Sequence, residues 1–148
     1  IFDSSPIQAV ELLASSLHGM LTNPATPWFT LRFKENDVEN EDEAKIWLES
    51  ATAAMYTAFN RSNFQQEIFE LYHDLITFGT AAMYIEEDDE DLLKFSTKHI
   101  AEIFIAEDDK GRIDTVYRKF TLSARALVQK FGNKVSQNIK VMSEKDPY

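Results

Sequence analysis

The 148-residue sequence contains no cysteine. A disulfide framework, a thiolate nucleophile and a cysteine zinc site are therefore excluded, and a reducing, cytosolic origin fits better than secretion. Glycine is also scarce, and the four glycines are spaced too widely to form a phosphate-cradling loop. The longest apolar runs are a few residues, far below the ~20 needed to cross a bilayer, so no membrane insertion is expected.

Residues with catalytic potential are present but do not form a recognisable pattern. The three histidines, His18, His73 and His99, are far apart in sequence, and none belongs to an i, i+4 pair of metal ligands. They are interpreted as surface or partly buried side chains. No serine sits in a nucleophile elbow. We therefore predict no catalytic residue, no cofactor and no enzymatic activity.

Acidic residues dominate the charge. The chain has 25 Asp and Glu against 15 Lys and Arg, which gives a formal net charge of -10. Such a surface repels phosphate backbones unless its basic residues are gathered in one place, and here they are scattered. A small basic patch could still form from Arg32, Lys34, Arg112, Arg118 and Lys119. Tight binding of nucleic acid is not expected.

One acidic run is the sharpest local feature. Oxygen-rich loops can hold Ca²⁺ or Mg²⁺, but this run lacks the glycine and the alternating spacing of an EF-hand loop. A solvated turn is the favoured interpretation, and the run is kept only as a weak metal-site candidate. Its members are Glu86, Glu87, Asp88, Asp89, Glu90 and Asp91.

The first 23 residues predict an amphipathic helix of roughly five turns. Ser5, with Pro6 at the first helical position and Gln8 three residues after Ser5, forms a capping-box pattern. The helix must end before Pro24, because the residue ahead of a proline is disfavoured in the helical region. The apolar stripe consists of Ile7, Val10, Leu13, Leu17 and Met20.

Two more long helices are predicted from Ala44 to Phe59 and from Phe64 to Phe78. Asn40 is the expected cap of the second helix, either Ser62 or Asn63 opens the third, and Gly79 closes it. Because the connection is short, the two helices are expected to pack as an antiparallel hairpin. Its predicted core includes Trp47, Met55, Ile68, Leu71 and Leu75.

Several short segments have β-strand character. The run Trp28–Phe33 predicts a strand, and its aromatic residues are interpreted as core or subunit contacts in preference to a base-stacking platform. Residues 81–85 and 92–97 predict two strands joined by the acidic run, and residues 103–106 and 113–120 predict a hairpin.

The end of the chain predicts two short helices. Ser123 is the expected cap of the first, which Gly132 closes, and Val135, Ile139 and Met142 indicate the last. The complete pattern predicts one α+β domain over residues 1–148, with long amphipathic helices, including the helical hairpin, packed on a small antiparallel sheet. Because the sequence begins at Ile1 and stops at Tyr148, we hypothesise that it is a piece of a longer protein.

The sequence resembles the head-to-tail connector (portal) family of T7-like podoviruses. The similarity extends from Ile1 to at least Gly132 and is strongest in the first helix. The segments that carry it are Ala9–Glu11, Leu13–Ser15, Leu17–Pro24, Pro27–Phe29, Arg61–Phe64, Phe78–Ala81 and Gly111–Arg118.

The resemblance implies a structural role in the wing of a ring-shaped portal, typically a dodecamer, at one capsid vertex. It implies self-association, docking of the packaging motor (terminase), contacts with capsid and tail proteins, and passage of DNA through the ring without tight binding by this segment. The protein would be made in the cytoplasm of the host bacterium and end in the virion. The remaining wing, the stem and the clip would follow Tyr148.

The residues alone are compatible with two other functions. An acidic protein-interaction module, or a mimic of DNA, would use the acidic run and the charge of -10. Mimicry requires carboxylates spaced like phosphates along one face, whereas these acids cluster at a turn and a helix start. A metal-dependent hydrolase would need carboxylates that face inward, and it is the least favoured of the three.

Overall fold

The computed structural model describes residues 3–34 and 42–145, and it confirms the α+β class. The chain divides into two compact units, one ending at Ala101 and one beginning at Glu102. Whether 1–148 act as one domain stays a prediction. The helices in the described residues are α1 (Ser5–Leu21), α2 (Asp42–Arg61), α3 (Phe64–Phe78), α4 (Ala124–Phe131) and α5 (Gln137–Lys145). The strands are β1 (Ala82–Asp88), β2 (Leu92–Lys98), β3 (Ile103–Glu107) and β4 (Ile113–Arg118).

Helix α1 begins where the sequence predicts, but different residues make the hydrogen bonds at its start. The Asp3 carboxylate accepts hydrogen bonds from the backbone nitrogen of Ser5 at 2.9 Å and from its hydroxyl at 2.6 Å. The N-cap is Ser4, and its side chain makes no capping bond. The predicted capping box at Ser5 is therefore wrong, because the Ser5 hydroxyl is already committed to Asp3. The helix ends at Leu21, as the proline rule requires.

The segment 28–33 is not a strand, so that prediction was wrong. The hydroxyl of Tyr56 on α2 accepts from the backbone nitrogens of Trp28 and Phe29, at 2.6 and 2.7 Å, and donates to the Phe29 carbonyl at 2.9 Å. One side chain therefore satisfies backbone groups that a neighbouring strand would otherwise satisfy. The β-propensity of the segment is overridden because its neighbour is a helix.

Helix α3 packs against α1, which corrects the expected hairpin of α2 and α3. Nε2 of His18 lies 2.8 Å from Oε1 of Gln65, and Nε2 of His73 lies 2.6 Å from Oε2 of Glu11. These two pairs run in opposite senses along the helices, so α1 and α3 are antiparallel. Helices α2 and α3 meet near their two-residue connection, where the rings of Phe59 and Phe64 are 4.7 Å apart.

The predicted hairpin core was largely wrong for the same reason. Trp47 is 60% exposed, Met55 39% and Leu75 42%, because the long contact between α2 and α3 that would bury them is not made. Ile68 and Leu71 are half-buried. The predicted cap at Asn40 lies outside the described residues. The end of α3 was predicted correctly: Gly79 has φ +75°, a left-handed conformation that glycine adopts without strain.

The core of the first unit is an aromatic cluster formed by Trp28, Phe59, Phe64 and Phe95. The ring of Trp28 stacks on Phe64 with centroids 5.8 Å apart and on Phe59 at 6.1 Å. Phe95, only 2% exposed, meets Phe64 edge to face at 5.1 Å. Of the two interpretations of Trp28, core or subunit contact, these ring contacts support the first, although Trp28 itself is only half-buried. The cluster joins the irregular segment, both ends of the α2–α3 connection and strand β2.

Both strand pairs form antiparallel hairpins in the predicted places. The register of β1 and β2 runs from Ala82 opposite Lys98 to Asp88 opposite Leu92, and β3 pairs with β4 from Ile103 opposite Arg118. The expected single sheet is replaced by two separate two-stranded sheets. In the second unit, the Ser123 hydroxyl caps α4 by accepting from the Ala126 nitrogen at 3.2 Å, as predicted.

Candidate functional site: exposed apolar faces and open strand edges

The outer edge of β2 is closed by the side chains of Asn63, the residue just before α3, and of Glu67 on α3. Oδ1 of Asn63 accepts from the Phe95 nitrogen and its Nδ2 donates to the Phe95 carbonyl, both at 2.8 Å. Four residues later, the Glu67 carboxylate accepts from the Thr97 nitrogen at 2.5 Å. These side chains occupy the backbone groups that another strand would use, so β2 cannot accept a further strand there.

The acidic run is divided between a strand and a turn. Glu86, Glu87 and Asp88 end β1, while the rest of the run connects to β2. Oδ1 of Asp88 accepts from the backbone nitrogens of Asp91 and Glu90, both at 3.0 Å. These bonds lower the pKa of the Asp88 carboxyl below its ordinary value. Asp88 is thus oriented toward its own turn.

The remaining acids of the run lie at the end of β1 and in the turn that follows it. Glu86 lies opposite Lys94 on β2, and the Glu90 carbonyl accepts from the guanidinium of Arg61 at 3.1 Å. Within residues 3–34 and 42–145, no three His, Asp or Glu side chains are grouped so that they could hold a metal ion. The arrangement supports the turn and does not gather carboxylates around a centre.

The histidines occupy structural positions. A groove of about 340 Å³ beside α1 and α3 is lined by Glu11, Phe69, Glu70, His73 and Asp74. The imidazole of His73 lies 2.6 Å from the Glu11 carboxylate. No hydroxyl nucleophile is among the residues that line the groove. The prediction of surface or partly buried histidines is confirmed. Two of them, His18 and His73, hold α1 and α3 together.

Two of the basic candidates in the second unit are bound to acids. The guanidinium of Arg112 lies 3.1 Å from the Asp108 carboxylate, and that of Arg118 lies 2.8 Å from Glu102. Hydrogen bonds from the backbone of Arg112 and Lys110, together with the Arg112 side chain, lower the pKa of Asp108. These pairs reduce the positive charge that the strands present to phosphate. No helix in the described part of the chain is long and apolar enough to span a membrane.

Exposed apolar side chains are the main feature of the surface. Among the described residues, the buried hydrophobic set is small: Ala14, Leu48, Phe64, Tyr72 and Phe95. Large apolar side chains lie exposed on α1 and α2, for example Met20 at 80% and Ile46 at 66%. Extensive exposed apolar surface of this kind is typical of a face that meets other protein.

The β3–β4 hairpin is apolar on both faces. Ile105 and Val116 share one face and are 58% and 63% exposed. Phe104 and Tyr117 share the other, at 52% and 63%. Strands that carry apolar residues on both faces are typical of sheets that are covered on both sides. The hairpin therefore has the composition of buried strands but an exposed setting.

Both long edges of this hairpin are open. The Lys119 nitrogen donates to the Glu102 carbonyl at 2.8 Å, which makes 102 and 119 a hydrogen-bonded pair. Since such pairs alternate along an antiparallel ladder, 104 and 117 form the next one. The backbone groups of Ile105 and Val116 then point outward. In the described part of the chain those groups have no partner.

Sequence reasoning missed both edge features. Asn63 is the N-cap residue of α3, one of the two predicted positions, but its amide makes no capping bond and closes a strand that begins 29 residues later. A polar side chain just before a helix predicts a cap for that helix. The neighbouring sequence gives no sign that the same side chain will bond a distant strand. The open edges of β3–β4 had a readable signal, because two paired strands with apolar residues on both faces imply missing cover.

The whole chain, residues 1–148, matches the family described as bacteriophage head to tail connecting protein. It is 36% identical to the portal protein of Salmonella phage epsilon15 over an alignment that covers all of this chain and 27% of that protein. It is 30% identical to the probable portal protein of Bordetella phage BPP-1, over 89% of this chain and 24% of the relative. The chain thus spans about a quarter of the length of these curated relatives. It belongs to the bacteriophage head to tail connecting protein family.

Proposed function

We propose that this chain is part of a portal subunit, a structural component of the ring through which phage DNA is packaged and ejected and to which the tail attaches. The observation that carries the proposal is the family match over all 148 residues. The role is mechanical, without a catalytic residue, a cofactor or a bound metal. Residues 1–148 act as one α+β domain of the wing.

The surface of the chain supports an assembled state. Large apolar side chains on α1, α2 and the β3–β4 hairpin are exposed, and their cover by other protein would remove that surface from water. The charge of -10 suits a conduit that does not grip its cargo, because retained phosphate contacts would slow a moving duplex.

The proposed partners are those of a portal. Copies of the same protein form a closed ring, typically of twelve subunits, at one vertex of the capsid. The packaging motor (terminase), the capsid shell and the tail proteins dock on that ring. The protein is made in the cytoplasm of the host bacterium and is incorporated into the virion.

The test uses the full-length gene product. Native mass spectrometry and electron microscopy of the purified protein should show a closed ring. A phage that lacks the gene should make heads without packaged DNA, and the gene supplied in trans should restore packaging. A monomeric full-length product, or normal packaging and tail attachment without the gene, would contradict the proposal.

A further inference from the structure

The β3–β4 hairpin has what a repeating contact between copies requires. A head-to-tail contact joins two different surfaces of one subunit, and repetition of that contact closes a ring when the rotation allows it. The hairpin offers two such surfaces, the outer edge of β3 at Ile105 and the outer edge of β4 at Val116. Each presents outward N–H and C=O groups ready for another strand.

The β1–β2 hairpin does not have this property. Its β2 edge is closed by Asn63 and Glu67, whose side chains bond the backbone of Phe95 and Thr97. A head-to-tail contact needs two free edges on each copy, one for each neighbour. A hairpin with one closed edge cannot supply both. Of the two hairpins, β3–β4 is therefore the one that can make a repeating contact between copies.

Charge distinguishes the two edges of β3–β4 and makes them complementary. The β3 side carries acids at both ends, Glu102 and Glu107, whereas the β4 side carries bases at both ends, Arg112 and Arg118. Within one hairpin this pattern already produces the 2.8 Å pair between Arg118 and Glu102. An antiparallel neighbour in the same register would meet the same sequence of charges and apolar residues.

We propose that β3 of one copy pairs edge to edge with β4 of the next copy of the same chain, so that the hairpins join into one continuous sheet between subunits. The inference rests on the proposed ring and names the surface that joins its members. Ile105 and Val116 would form the intersubunit hydrogen-bonded pair, between the intramolecular pairs. The apolar stripe on their face would then continue from copy to copy.

The main-chain contact is tested with Val116→Pro in the full-length gene product. The Val116 N–H points away from β3, so proline removes an intersubunit donor and leaves the hairpin ladder intact. Val116→Thr is the matched control, because it keeps the N–H and a β-branched side chain. Native mass spectrometry over a dilution series should show Val116→Thr rings as stable as wild-type rings, and Val116→Pro rings that dissociate at a higher protein concentration, because one main-chain bond per contact is lost. Val116→Pro rings as resistant to dilution as the wild type would overturn the inference.

Cross-linking decides the matter even if the proline variant does not fold. The 148 residues contain no cysteine, so any native cysteine of the full-length product lies outside this segment and is replaced by serine before single thiols are introduced. Ile105→Cys and Val116→Cys subunits with different mass labels, mixed before assembly, should be joined between chains by a short bis-maleimide. Assemblies of Ile105→Cys alone should not be joined.

The outcomes separate the two proposals. Rings with a 105–116 link between chains support both. Rings without that link overturn the intersubunit sheet and do not affect the proposed portal function. The same holds if the reagent joins the Val116→Cys thiol only to another residue of its own chain. A wild-type product that forms no ring overturns the portal function and the sheet that rests on it.

Discussion

The side-chain amide of Asn63 mimics a strand against Phe95, donating to its carbonyl and accepting from its nitrogen at 2.8 Å each. Phe95 is 2% exposed, so its backbone has little access to replacement water. A polar backbone group that loses its partner in such a place costs about 1–3 kcal/mol. This pair therefore ties the α2–α3 connection to the first sheet.

Replacement of Asn63 by alanine should lower the free energy of unfolding by about 1–3 kcal/mol, because it leaves the Phe95 N–H and C=O unpaired. Urea denaturation followed by circular dichroism measures the change. Asn60→Ala, an exposed position at the end of α2, is the control and should change stability by about 0.5 kcal/mol or less. Equal effects of the two substitutions would show that the Asn63 amide has no special role.

Phe95→Ala should be among the most destabilising substitutions in the first unit. It removes a buried ring that packs against both Phe59 and Phe64, and a cavity of that kind costs about 3–5 kcal/mol. Leu71→Ala should cost less, since Leu71 is only half-buried. Phe104→Ala, at a side chain 52% exposed, is the matched aromatic control and should show a much smaller loss. A Phe95→Ala protein as stable as the wild type would contradict the described core.

The turn between β3 and β4 should lose order in acid. Hydrogen bonds lower the pKa of Asp108 below its ordinary 3.8, so its stabilisation is present above that pH and lost as the pH falls through the lowered pKa. Exchange of the Arg112 amide, which donates to Oδ1 of Asp108 at 2.8 Å, should be slower in wild type than in Asp108→Asn near neutral pH. The difference should shrink below pH ~4. Asp109→Asn is the control. A difference in Arg112 exchange between wild type and Asp108→Asn that grows as the pH falls would contradict the prediction.

No measurable binding of duplex DNA is expected at ~150 mM salt. Ten excess negative charges oppose it, and Arg112 and Arg118 already pair with carboxylates. Two or three phosphate contacts would give a dissociation constant beyond about 1 mM, with a log-log salt slope of about -2 to -3. Fluorescence anisotropy with labelled duplex measures both. A constant below about 10 µM with a steep slope would show a gathered basic face.

The 148-residue chain alone should be monomeric or only weakly associated. Stable interfaces bury about 1,200–2,000 Å² in total, and a pairing of two five- or six-residue strands supplies a small part of that. Sedimentation equilibrium over a range of concentrations measures the association. A closed high-order ring formed by these residues alone would show that the contact surface lies wholly within them.

Local signals predicted the ends of elements well. Pro24 and Gly79 act through the backbone of their own neighbourhood, so the ends of α1 and α3 follow from a few residues. Ser123 caps α4 for the same reason. The two β-hairpins also follow from short-range alternation and from turns rich in Asp and Gly. The α+β class was therefore accessible from the sequence.

Contacts between distant residues were not accessible. The pairing of α1 with α3 depends on side chains 47 and 62 positions apart, and the amphipathic stripe of α3 does not say which helix will cover it. A β-prone run at 28–33 became irregular because the Tyr56 hydroxyl took its backbone groups. The candidate site was missed because its main features, the open edges of β3–β4 and the closure of the β2 edge by Asn63, are relations between elements.

The placement of the two tryptophans gives the chain an optical readout of its own. The indole of Trp28 packs against the rings of Phe59 and Phe64, whereas Trp47 is 60% exposed. An indole among apolar rings emits at shorter wavelength than one in water. In a Trp47→Phe protein, the remaining fluorescence would come from the aromatic cluster, and its red shift would follow the loss of that cluster without any added dye.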